Sequence, residues 1–370
     1  MKHETTIVLS LVAALSLVGV LMVYSASAVG GDAVGMLHRE LFFVLIGLVF
    51  MTLSARFDYH RWNDRWIYRS VTGLALALLL IVLVPGIGVK VDGARRWMQI
   101  GGFRFQPSEF AKFALILLLA VKLNENREYA KRLFRGFLPP VGIACVFAGL
   151  VLAERDLGIP AMMIGTAGAM MFLGGVRWQF LLLSVAPGAA GLFALVWFAP
   201  HRLRRLFAFI NPWDYRDDAG WQLIQSFAAF ARGSLLGRGV GAGEQKHGYL
   251  PAAHTDFIFP VIGEELGLVG TLAIVIVFAC LARTAYRIAA NAPDRFGALL
   301  ASGITTMFTM QAVFIMMVTT GLLPTKGLPL PFISYGGTAL VMQLTLIGIL
   351  INVGLQARAP EPTPLLVHAV

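Results

Sequence analysis

Residues 249–281 read "YLPAAHTDFIFPVIGEELGLVGTLAIVIVFACL". From Phe257 to Leu281 the stretch is apolar and long enough to cross a bilayer as a helix. Yet the polar triplet His254-Thr255-Asp256 runs straight into it, and Glu264 and Glu265 lie inside it. At about 1.5 Å per residue those two acids sit roughly 12–14 Å beyond Asp256. A carboxylate that deep faces a cavity or a partner rather than lipid. Helix capping explains Asp256 alone. It does not explain an acid at the border of a span beneath a basic connection, an arrangement that suits a base beside an anionic substrate.

The rest of the chain repeats the apolar theme. Of 370 residues, 58% are hydrophobic and 14% charged, against about 25% charged in soluble domains. The pattern predicts an all-α integral membrane protein with ten transmembrane helices, at about 7–28, 40–55, 66–85, 107–123, 138–154, 158–175, 178–198, 257–281, 296–320 and 334–356. The alternating strands of a membrane barrel are absent. Two long polar connections, about 86–106 and 199–256, and a flexible Pro-rich tail from about 357 to 370 complete a single membrane domain. Ser25-Ala26-Ser27-Ala28 resembles a signal-peptide cleavage site, but the apolar core before it is longer than a signal requires, so an uncleaved first span is expected. Cys145 and Cys280 both fall in apolar segments, with no metal-ligand spacing.

Positive charge in short loops orients such a chain. With the N-terminus inside, the inner loops and ends hold fifteen Lys and Arg and the short outer loops three, Arg39, Arg155 and Lys326. The prediction is N-in, C-in. Both long connections then lie outside, carrying eleven basic residues against the bias. Long loops are translocated regardless of charge; the alternative is an anionic ligand held at the outer face. The net charge of +10 needs no nucleic acid, since topology accounts for about half of the positive charge and no nucleic-acid module is visible.

Several motifs sharpen this. "GSLLGRGVGAGEQKHG" at 233–248 reads either as a flexible loop or, with Arg232, Arg238 and Lys246, as a pyrophosphate-facing one. Residues 202–210 and 221–231 read as short helices, in the interface or packed on the ends of spans. In "RFQPSEFAK" (104–112), Pro107 suits a first helical turn, and Glu109 and Lys112 share a face and can pair. Asp156 reads as a turn or cap residue, or as cavity wall. Residues 324–337 look re-entrant, which is tolerated only where protein or a water-filled cavity covers the backbone.

Together "YLPAAHTDFIFPVIGEELGLVG", "RFQPSEFAK", "LLPTKGLPLPFISYGG", "ARRWMQIGGFRFQ", "NPWDYRDDAGWQLIQS" and "VYSAS" resemble the SEDS family (shape, elongation, division and sporulation) from Tyr24 to about Asn352. Pro324-Thr325-Lys326-Gly327 and Phe230-Ala231-Arg232-Gly233 look more like the division branch, FtsW, than the elongation branch, RodA. The resemblance implies a ten-span peptidoglycan glycosyltransferase of the bacterial cytoplasmic membrane. Its substrate would be lipid II, its partners a class B penicillin-binding transpeptidase and the divisome, and its place the division septum. It implies Asp256 as catalytic base, Trp97, Arg104 and Lys112 as substrate-binding positions, and Glu109 as the acid paired with Lys112. The residues themselves add Lys246 as a pyrophosphate ligand and make Glu264 and Glu265 structural supports. Mg²⁺ or Mn²⁺ could neutralise the pyrophosphate, but no carboxylate cluster predicts a tight metal site. The chain departs from the family's pattern at Ala252, where a glutamate is usual, at Glu154-Arg155 in place of Gln-Pro, at Ile315 for asparagine and at Thr338 for serine. Two rivals are a lipid II flippase, disfavoured because the polar residues gather at one face and no paired broken helices are visible, and a non-catalytic scaffold for the transpeptidase.

Overall fold

The computed structural model describes residues 2–28, 33–91, 93–246 and 249–357. The predicted tail lies outside these, apart from Ala357. A helix coincides with each of the ten predicted runs: α1 (Lys2–Ser27), α2 (Ala33–Arg56), α3 (Arg65–Ile81), α4 (Pro107–Glu125), α5 (Leu138–Ala153), α6 (Gly158–Leu173) and α7 (Trp178–Trp197), then α10 (Ile258–Ala290), α11 (Arg295–Thr319) and α12 (Gly337–Gln356). Among the described residues, seven helices are long and apolar enough to cross a membrane. The protein is a multi-pass membrane protein.

Local sequence sets the ends. The Asp64 carboxylate caps α3 by accepting from the Trp66 amide at 2.8 Å, and Asp294 caps α11 through Gly297 at 2.7 Å. Pro107 opens α4, where its missing N–H costs nothing. α4 and α11 are buried along most of their length and with α6, α10 and α12 form the core, while α2 lies along α12 and α1 along α10. α7 has no buried residue. At one end, Tyr59 and His60 tie the α2–α3 link to Asn352 and to the Asp294 cap.

The other end carries the two long connections. The first contains a small addition to the all-helical plan, a three-stranded antiparallel sheet of β1 (Gly88–Val91), β2 (Ala94–Ile100) and β3 (Phe103–Phe105). The Phe103 ring stacks on Phe42 of α2, which anchors the sheet's tip. The second contains α8 (Pro200–Ile210) and α9 (Trp221–Gly233), the two short helices expected. α9 packs on α10, and its Ser226 hydroxyl donates to the Thr319 carbonyl at the end of α11. α8 buries only Ala208.

α10 is broken. Gly267 sits at φ +68°, ψ −165°, a conformation that essentially only glycine adopts. The backbone groups freed there are taken up by the preceding loop: Arg238 and Gly239 amides donate to the carbonyls of Glu264 and Glu265, and Leu268 and Val269 amides donate to Ser234 and Leu235. A half-helix, residues 258–266, is thereby set off at the end of the bundle with Asp256 just before it.

Candidate functional site

A cavity of about 730 Å³ opens at this end. Its walls come from α2 (Arg39, Phe43), the sheet (Arg96, Trp97, Arg104), the α5–α6 turn (Asp156), the triplet before α10 (His254, Thr255, Asp256) and the loop before α12 (Gly327, Tyr335). Glu109 reaches it from the first turn of α4. Of the predicted residues, Asp256, Trp97, Arg104 and Glu109 are therefore brought together.

The loop before α12 positions Asp256. The Ser334 hydroxyl donates to the Thr255 carbonyl at 2.6 Å, and the Tyr335 amide to the His254 carbonyl at 2.9 Å. Gly327 packs directly on the Asp256 carboxylate, so closely that a Cβ at 327 would collide with Oδ2. The carboxylate itself makes no hydrogen bond or ion pair among the described residues. Burial, then the charge of Asp156, pushes its pKa up to about 6, against the opposing pull of Arg96 and Arg205. Burial also lowers His254, favouring its neutral form.

Arg96 is held from three directions. Nε donates to the Glu154 carbonyl at 3.3 Å, Nη2 to the Arg155 carbonyl at 2.8 Å, and Nη1 faces Asp156 Oδ2 at 3.5 Å. Asp156 is both things the sequence allowed: it caps α6 through the Gly158 amide at 2.8 Å and it lines the cavity. Thr338 joins two elements through its hydroxyl. It donates to the Arg104 carbonyl at 3.1 Å and accepts from the Gln106 amide at 3.3 Å, locking β3 to α12. Glu154 is buried with both carboxylate oxygens unpartnered among the described residues.

Two expectations need correction. Lys112 does not line the cavity. Its ammonium lies behind the wall, 2.9 Å from Glu109 and 3.0 Å from the Gln311 carbonyl oxygen. Gln311 in turn donates to the Pro329 carbonyl at 2.7 Å, so the pair connects α4, α11 and the loop that holds Asp256. Lys246 is also no free ligand. It is 6% exposed, and Nζ donates to Ser25 Oγ, the Gly241 carbonyl and Glu265 Oε1 at 2.7–2.8 Å, using all three of its protons. The glycine-rich loop does cradle an anion, but that anion belongs to the protein. Amides of Glu244 and Gln245 donate to the Glu264 carboxylate at 3.0 Å, and Gly241 donates to Glu265 at 2.9 Å. Glu264 and Glu265 thus tie the half-helix to that loop.

Arg96, Arg39 and Gly327 were not singled out in the sequence. Arg96 was counted only among the basic residues of its connection. Arg39 was counted only as topology. Among the described residues no group of three or more His, Cys, Asp or Glu gathers as a cation site. Asp156 is engaged by Arg96.

The fold and site define a multi-pass membrane protein with a carboxylate set among arginines in a cavity at the end of its bundle. The family model described as cell cycle protein, covering FtsW, RodA and SpoVE, matches residues 5–359, and the chain belongs to that family. It is 42% identical over 357 residues to a probable peptidoglycan glycosyltransferase FtsW of Geobacter sp. (strain M18), covering 95% of this chain and 97% of that one. It is 38% identical over 346 residues to stage V sporulation protein E of Bacillus subtilis, covering 92% and 94%. Among solved structures it resembles the Thermus thermophilus rod shape determining protein RodA, at 26% identity and TM-score 0.69 over 95% of this chain and 97% of that one. It also resembles a chain from a work on the structural coordination of polymerization and crosslinking by a peptidoglycan synthase complex, at 27% identity and TM-score 0.79 over 94% and 96%.

Proposed function

We propose that the chain is an inverting glycosyltransferase that polymerises lipid II at the outer face of the bacterial cytoplasmic membrane, serving septal wall synthesis. The observation that carries the reading is Asp256: a carboxylate with no partner among the described residues, raised to a pKa of about 6, in a cavity with Arg39, Arg96 and Arg104. The names of its relatives and the subject of its structural neighbour support the same chemistry. A class B penicillin-binding transpeptidase and divisome proteins are the proposed partners.

Asp256 takes the proton of the acceptor sugar's hydroxyl as that oxygen attacks the donor's anomeric carbon. The bond from that carbon to the diphosphate oxygen breaks, and the leaving diphosphate keeps the electron pair. Charge grows on it as it departs, and the guanidinium groups of Arg96, held by the α5–α6 turn, and of the cavity-lining Arg104 would stabilise it. One displacement inverts the anomeric centre, so no enzyme nucleophile is required. Trp97 offers the sugar an apolar face.

Purified protein in liposomes supplied with labelled lipid II tests the reading, with and without a transpeptidase. Glycan polymer made by the wild type and not by Asp256→Asn is the expected result. Translocation of lipid II without polymer would make it a flippase, and neither activity would leave a scaffold.

A further inference from the structure

Asp256 is seated by the loop before α12, and the part of that loop that touches it is thinly held. Residues 330–335 are tied several times over. The Leu330 amide donates to Ser334 Oγ at 2.8 Å, and Ser334 donates on to the Thr255 carbonyl. The Phe332 amide, in a backbone with φ of +64°, donates to Gln343 Oε1 of α12 at 2.9 Å. Gly327, which packs on the carboxylate, belongs to the stretch before these. From Pro324 to Pro329 there is a single hydrogen bond among the described residues, and it comes from Gln311 of α11: Nε2 donates to the Pro329 carbonyl at 2.7 Å. The buried side chain of Leu328 adds packing, which is not directional.

Gln311 is suited to set a position. It is 2% exposed, and both ends of its amide are engaged. The Lys112 ammonium can only donate, so the atom 3.0 Å from it is the amide oxygen; the Pro329 carbonyl can only accept, so the atom facing it is the amide nitrogen. The two partners thus allow one orientation of the amide. Glu109, 2.9 Å from the ammonium, fixes Lys112 in turn. Glu109, Pro329, Gly327 and Asp256 all line the one cavity, whereas Gln311 and Lys112 do not. The series Glu109, Lys112, Gln311, Pro329 therefore leaves one wall of the cavity, runs behind it, and returns two residues from the glycine that presses on Asp256.

We propose that Gln311 is a positioning residue for the base: by holding Pro329 it keeps Gly327 on Asp256, and so fixes where the carboxylate points and how well water is kept from it. The inference rests on the reading of Asp256 as the base of polymerisation. Without the bond, residues 324–329 are free to lift and water reaches the carboxylate. Burial, the first cause of its raised pKa of about 6, then weakens, while Asp156 still raises it and Arg96 and Arg205 still lower it. Gln311 is neutral, so replacing it by another neutral residue alters none of these charges, nor those of Glu109, Arg39 and Arg104 or the ring of His254 around the cavity. A change in how Asp256 titrates then reports its burial.

Two variants test this. Gln311→Met keeps the length of the side chain and drops both hydrogen bonds; Gln311→Asn keeps the amide but is too short to span both partners, and serves should the first fold poorly. Polymerisation of labelled lipid II in liposomes, followed from pH 5 to pH 8, gives kcat, KM and the midpoint of kcat/KM, which reports the free enzyme. In both variants kcat at pH 7.5 should fall about tenfold or more, KM should stay within about twofold, and the midpoint should move down from about 6 by about one unit, towards the ordinary aspartate value. Tyr59→Phe removes a 2.6 Å bond to Asp294 at the other end of the bundle; it controls for general loosening and should leave the midpoint in place. An unmoved midpoint in both Gln311 variants, or an equal shift in Tyr59→Phe, would overturn the proposal, since Gln311 would then only stabilise the bundle. Melting temperatures keep the two claims apart. The Asp256 carboxyl favours the fold below 3.8 and loses that contribution as pH rises through about 6. Asp256→Asn should therefore gain in melting temperature on its parent between pH 4 and pH 6.5, and gain less when the parent is Gln311→Met. That smaller gain, with no polymer from the wild type, defeats the enzymatic reading and leaves the seating of Asp256 standing; polymer from the wild type with an equal gain in both parents does the reverse.

Discussion

Asp256 holds its proton longer than an ordinary aspartate, and that one property predicts two opposite responses. As a base it works only when ionised, so the rate of polymerisation should climb as pH rises through about 6 and level off above. For stability the sign reverses. A carboxyl raised above its ordinary value near 3.8 favours the fold fully below that value, and the contribution is lost as pH rises through about 6. Asp256→Asn should therefore abolish polymer at pH 7.5 while melting at the same or a higher temperature. Near-normal turnover in Asp256→Asn would remove Asp256 from the chemistry. Glu109 and Lys112 behave differently, because they neutralise each other at 2.9 Å while nearly buried. Removing either partner strands a buried charge, at about 3–5 kcal/mol. Glu109→Ala and Lys112→Ala should each lower the melting temperature more than the double variant does, and additive losses in the cycle would dissolve the pair.

At the scale of elements, the half-helix 258–266 depends on how its far end is held. Lys246, Ser25 and Glu265 close a buried network between the glycine-rich loop, α1 and α10. Lys246→Met should leave Glu265 uncompensated and destabilise the protein by about 3–5 kcal/mol, with polymerisation falling as the half-helix loosens. Adding Glu265→Met should restore much of the melting temperature. If Lys246→Met instead only raised the lipid II concentration needed for half-maximal rate, with stability untouched, the ligand role read from the sequence would be right after all. This network shows where sequence reading stops. Apolar length is local, so the helices were legible, although α2 begins seven residues before its predicted run and α10 ends nine residues after its own. Asp256 was legible because an acid at a span border is costly. Whether the cations of Lys246 and Lys112 face substrate or a buried glutamate is decided by residues such as Ser25 and Gln311, far away in sequence. The sheet at 88–105 escaped for a different reason: its strands are 4, 7 and 3 residues long, too short for alternation to stand out.

Across the whole molecule, the proposed chemistry stands or falls with which face carries the cavity. Its cations lie on the two long connections and the short turns beside them, whereas the other end carries most of the remaining Lys and Arg in short loops. The positive-inside bias acts on the latter, which puts the cavity outside, where lipid-linked sugar precursors would be joined. Thiol accessibility tests this directly. Cys145 and Cys280 are exposed on apolar helices, so labelling of the parent protein sets the background. Asp217, whose side chain is 93% exposed, marks the connection near the cavity, and exposed Glu128 marks the opposite end. In intact spheroplasts an impermeant maleimide should label Asp217→Cys and spare Glu128→Cys, and permeabilisation should make both reactive. Both changes remove a surface carboxylate with little packing, so the fold should survive. The reverse labelling would place Asp256 in the cytoplasm, and with it the cavity would lose access to acceptor strands outside the membrane. Polymerisation at the outer face would then be impossible whatever the chemistry of the carboxylate.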